Sequence, residues 1–75
     1  MRFIEMQGKT LLRLLSPEDV HPDELRAAGF TDESLVRVNL QGDIEMRREH
    51  GWEIIGGLLG EFDERVRAVT GFDWA

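Results

Sequence analysis

The chain has 75 residues and no cysteine, which fits one domain with a modest core and excludes disulfides and thiolate metal sites. Fifteen acidic residues against nine basic ones give a net charge of −6, a balance that argues against general affinity for nucleic acid. No run approaches the roughly 18 apolar residues of a membrane span, and the start MRFIEMQGKT, with Glu5 and no sustained apolar stretch, lacks a signal-peptide pattern. The expectation is a soluble cytoplasmic protein with no contact to membrane.

The charge is unevenly spread. Residues 1–15 carry Arg2, Lys9 and Arg13 against Glu5, whereas residues 16–36 carry Glu18, Asp19, Asp23, Glu24, Asp32 and Glu33 against Arg26. This order could set a small positive patch on a negative molecule, or simply solvate the surface.

In chain order, RFIEMQ at 2–7 favours a strand that ends at Gly8. KTLLRLL at 9–15 is apolar on both faces except for Arg13, so periodicity alone does not separate strand from helix. Its shortness, with Gly8 and Ser16-Pro17 at its bounds, favours a strand. Pro22 followed by Asp23 and Glu24 marks a helix start, because proline fits the first turn and acids complement the positive end of the dipole. Gly29 should stop that helix after about two turns, with Leu25 and Ala28 facing inward.

Residues 36–48, VRVNLQGDIEMRR, read as a hairpin. A three-residue loop, Leu40-Gln41-Gly42, puts glycine at the left-handed position such loops require. That register sets Val38 opposite Ile44 and Val36 opposite Met46 on one face, and Arg37 opposite Glu45 on the other. One hairpin of this size is not stable alone, so it needs further strands or a partner. From 52 to 70 the period changes, and Ile55, Leu58, Leu59, Phe62, Val66 and Val69 fall on one helical stripe. Glu61 with Arg65 and Asp63 with Arg67 stand four apart, acid first, and Gly71 offers a C-terminal cap. Gly56, Gly57 and Gly60 each cost roughly 1 kcal/mol in a helix interior. Either the helix starts late, near Gly60, or the glycines admit a close backbone; a helix across the region is the expectation, with Gly56 and Gly60 one turn apart at a close contact.

The order strand, turn, strand, Pro-started helix and Gly-turned hairpin resembles the AbrB/MazE-type swapped-hairpin family of bacterial regulators and antitoxins. The resemblance covers about residues 3–48 and rests on GKTLLRL, PDELRAAGF and TDESLVRVNLQGDIEMRR. It implies an α+β fold: a small, mostly antiparallel β-barrel from interleaved hairpins of a homodimer, one short helix, and a C-terminal amphipathic helix. Residues 1–50 would form the swapped-hairpin-like β domain. Residues 51–75 would be a helix and aromatic tail, part of the same domain or an extension that binds a partner. Val36, Val38, Ile44 and Met46 would form the dimer core. Arg2, Lys9 and Arg13 would face operator DNA. Leu58, Leu59, Phe62, Val66, Phe72 and Trp74 would bind a toxin or other protein, unless the aromatic tail merely covers its own core. The acidic balance favours a second expectation, a protein-interaction or assembly module of this architecture without DNA binding.

Chemistry finds little support. His21 and His50 have no ligand spacing, and no phosphate-cradling loop or nucleophile setting occurs. No metal site, cofactor or catalytic residue is expected, and the chain does not read as an enzyme.

Overall fold

The computed structural model describes residues 2–74. Its elements are β1 (Ile4–Gln7), α1 (Gly8–Leu14), α2 (Pro22–Ala27), β2 (Leu35–Val38), β3 (Asp43–Arg48), β4 (Gly51–Gly57) and α3 (Phe62–Thr70). The four strands form one antiparallel sheet in the order β1-β2-β3-β4. The α+β class is as expected. The sheet is not closed into a barrel: β1 and β4 remain as edges, and helices take one face instead.

The segment expected as a second strand, residues 9–15, is helix α1. Gly8, Leu11 and Leu14 turn inward at helical spacing while Lys9 and Arg13 stay outside. The sequence lacks a capping residue because the cap is tertiary: the Gly8 and Lys9 amides donate to the carbonyls of Ser34 (2.8 Å) and Asp32 (2.9 Å). These are two of the donors a helix start leaves unsatisfied. The approach requires glycine, since a Cβ at position 8 would lie 2.1 Å from the Thr31 carbonyl oxygen. Helix α2 forms as expected, with Pro22 in its first turn and the His21 imidazole accepting from the Asp23 amide at 3.1 Å.

The hairpin register is the expected one: Val36 pairs Met46, Arg37 pairs Glu45 and Val38 pairs Ile44. Gly42, at φ +87°, takes the left-handed position, and the Asn39 side chain accepts from the amides of Gln41 and Asp43, each at 3.0 Å. The sheet then continues. Residues 52–57, expected as helix, belong instead to strand β4, joined to β3 by the tight turn at Glu49-His50 with Arg48 opposite Gly51. In extended backbone the glycines of this segment escape their helical penalty. Gly56 packs against Val20, whose side chain would sit 2.9 Å from an added Cβ, so its close contact is with a loop and not along a helix with Gly60. A register shift beside Ile44 and Glu45 inserts Ile55 as an extra residue. Helix α3 therefore starts only at Phe62, and Gly71 caps it as expected. The Asp63–Arg67 pair forms at 3.5 Å, but Arg65 turns from Glu61 to Asp19.

One core lies between sheet and helices. Ile4, Met6, Val36, Val38, Ile44 and Met46 meet Leu11, Leu14, Leu25, Phe30, Leu58, Val66 and Trp74. Residues before and after position 50 share this single cluster. Trp74 closes its end, donating from Nε1 to the Val38 carbonyl at 2.9 Å and meeting Phe62 edge-on at 6.1 Å.

A polar clamp ties the helices together. The Asp19 carboxylate, with no exposed side-chain surface, accepts from the Ser16 amide (2.8 Å), the Leu59 amide (2.7 Å) and the Arg65 guanidinium (3.0 Å). Arg65 also donates to the carbonyls of Leu14 (2.6 Å) and Leu59 (2.9 Å). Burial pushes the Asp19 pKa up, but the Ser16 amide, Arg65 and the Leu59 amide outweigh it and hold the carboxyl below its ordinary 3.8. A depressed folded pKa contributes stability that is complete above the unfolded value and is lost as pH falls through the folded one. Asp19→Asn should cost about 1–3 kcal/mol at neutral pH and soften the acid limb of the stability curve, as read by denaturant titration at several pH values. The tail separates likewise: Trp74→Ala should cost about 3–5 kcal/mol, while Phe72→Ala, at a position 56% exposed, should stay within about 0.5 kcal/mol of the parent in thermal unfolding.

Candidate interaction surface

Strand side chains alternate between faces, so the positions left out of the core share the other side of the sheet. Glu5, Arg37, Glu45 and Ile54 form one row across all four strands. Beside this row Gln7 stands opposite Leu35, and Arg47 opposite Trp52.

Arg37 organises this face. Its guanidinium lies 3.7 Å from the centroid of the Phe3 ring and 4.2 Å from that of Trp52. Its Nε and one terminal nitrogen both donate to Glu45 Oε1, at 3.1 and 2.8 Å. The planar, weakly hydrated guanidinium suits such stacking, each contact being worth about 0.5–2 kcal/mol according to its desolvation. Phe3 precedes β1 and Trp52 belongs to β4, so one side chain links both edges of the sheet. Arg47 lies farther off, 5.8 Å from the Trp52 centroid. Leu35 and Ile54 flank the stack, 41% and 63% exposed.

The ring faces that a base would stack on already hold Arg37, and both charge signs are interspersed with apolar side chains. Among the described residues no group of histidine and carboxylate side chains could hold a metal ion. His21 caps α2 and His50 sits in the β3–β4 turn.

The residues singled out from sequence are dispersed. Arg2 lines a cavity with Phe3, Asn39, Leu40 and Gln41. Lys9 and Arg13 stand one turn apart on α1, and Arg13 borders a different groove, with Glu5, Thr10 and Phe72. Val36, Val38, Ile44 and Met46 are buried within the single chain. Of the C-terminal set, Leu58, Val66 and Trp74 are in that core and Phe62 packs against it, leaving Leu59 and Phe72 outside. Phe3, Leu35, Trp52 and Ile54 were missed by sequence reasoning; alternation in GWEI would have revealed Trp52 and Ile54 had that segment been read with period two. Compared with protein-family models, curated proteins and solved structures, the chain matches none.

Lysine keeps the charge of Arg37 but has neither the plane nor the fork. Arg37→Lys should therefore cost about 1–2 kcal/mol and shift Trp52 fluorescence, measured in a Trp74→Phe background to isolate that indole.

Proposed function

We propose that the chain is a protein-assembly module that self-associates through its sheet and has no DNA-binding role. The observation that carries this reading is the Phe3–Arg37–Trp52 stack, with Leu35 and Ile54 exposed beside it, on the face opposite the chain's core. Apolar side chains grouped on one surface and interleaved with both charges are what a protein interface presents. The fold gives this group a backing, since β1, β2 and β3 supply buried core residues on the other side and Ile55 of β4 packs against them.

A second reading keeps operator DNA as the partner, through Lys9 and Arg13. It is favoured by one observation: among the described residues neither side chain has an ion-pair partner, and they share one side of α1. The net charge of −6 works against it.

Salt distinguishes the two. Copies that each carry −6 repel, so screening should leave self-association intact or strengthen it, whereas phosphate contacts weaken steeply as salt rises. Sedimentation velocity over the micromolar range should show a dimer that persists at high salt, and labelled duplex DNA should give no mobility shift at low salt. A monomer at every concentration and salt would end the assembly reading. A salt-sensitive shift abolished by Arg13→Ala would establish the DNA reading instead.

A further inference from the structure

Resting on the assembly reading, we propose that two copies join edge to edge through β4, antiparallel about a two-fold axis at Glu53, and so fuse their sheets into one.

The two edges of the sheet differ. β1 has four residues, with an exposed Glu5 and a groove beside it that Phe3, Ile4, Glu5 and Phe72 line. β4 has seven residues, Gly51–Gly57, and no further strand pairs with its outer side among the described residues. Of the usual guards of an edge strand it has the bulge at Ile55 and the single charge of Glu53, which Arg48 pairs; its sequence, GWEIIGG, has no proline and no lysine. Ile54 is 63% exposed on it.

The register follows from the faces. An axis perpendicular to the sheet keeps open-face residues on the open side, so residues set opposite each other must share a face. Centring on Glu53 uses the straight stretch before the bulge and clears the turn. Trp52 then meets Ile54 of the second copy, and Ile54 meets Trp52 of the second copy, two aromatic–β-branched pairs side by side on the open face. The two Arg37–aromatic stacks become neighbours in one continuous surface.

The obstacle is charge, because this register places Glu53 against its own copy on the helix side. That charge is already matched: Arg48 donates to Glu53 from Nε at 2.8 Å and is itself held by the Ala28 carbonyl. The junction thus alternates Arg48, Glu53, Glu53, Arg48, with no other charged residue on β4. Trp52, Glu53 and Ile54 are the only non-glycine residues this axis pairs before the bulge: Trp52 and Ile54 complement each other across it, and each Glu53 is held by Arg48 of its own copy.

The absence of native cysteine allows a direct test. Residues opposite each other in an antiparallel pair have Cα atoms about 4.5–5.5 Å apart, within reach of a disulfide. Under mild oxidation Glu53→Cys should form a covalent dimer that sediments like the native one, while Leu59→Cys, exposed but outside β4 and six residues from the axis, should cross-link only slowly. Ile54→Lys should remain folded by circular dichroism and raise the dimer dissociation constant by about tenfold or more. A native dimer in which Glu53→Cys cross-links no faster than Leu59→Cys would overturn the β4 junction and leave the assembly reading standing. A monomeric native chain would overturn both.

Discussion

A four-stranded sheet has two faces, and this chain has only enough apolar helix to cover one of them. Leu11 and Leu14 of α1, Leu25 of α2 and Val66 of α3 pack on the side formed by Ile4, Met6, Val36, Val38, Ile44 and Met46. That one-sided core determines the rest. It fixes which alternate positions point away, and it leaves them to be stabilised by their own contacts. Arg37 meets that need by stacking between two rings and pairing with Glu45, so the open face is ordered without a second layer.

Holding short helices on one side is the second constraint. None of the three exceeds nine residues, and helices of such length are marginal unless tertiary contacts support them. The Asp19–Arg65 clamp supplies such support at the point where the end of α1, the following loop, the approach to α3 and α3 itself converge. Trp74 does the same at the other end by bonding the sheet backbone. The Trp74 indole thus belongs to the fold, and of the exposed large apolar side chains Leu35 and Ile54 lie on the sheet while Leu40, Leu59 and Phe72 lie off it.

What the sequence revealed and what it hid have physical causes. The 36–46 hairpin was legible because alternation, the Gly42 turn and the Arg37–Glu45 pair agree on one register. Helix α2 was legible from Pro22 and its acids. Helix α1 was hidden because its cap comes from Asp32 and Ser34 carbonyls, which no local motif encodes. β4 was hidden because Ile55, Leu58, Leu59 and Phe62 also satisfy a helical period, although the glycines argued against helix at a known energetic cost. Losing β4 concealed the candidate surface as well, since Trp52 and Ile54 share a face with Arg37 only when they lie in a strand. Arg65 had a plausible local partner in Glu61, four residues back, and the buried carboxylate of Asp19 won by offering better desolvated geometry.

Backbone amide chemical shifts followed as the protein is concentrated test the central claim most directly, because they locate a contact and not only its mass. The account predicts saturable shifts at residues 51–55 and at Arg37, with the amides of α1 and α3 unmoved. Shifts confined to the helices, or none anywhere up to the solubility limit, would contradict a sheet-mediated assembly.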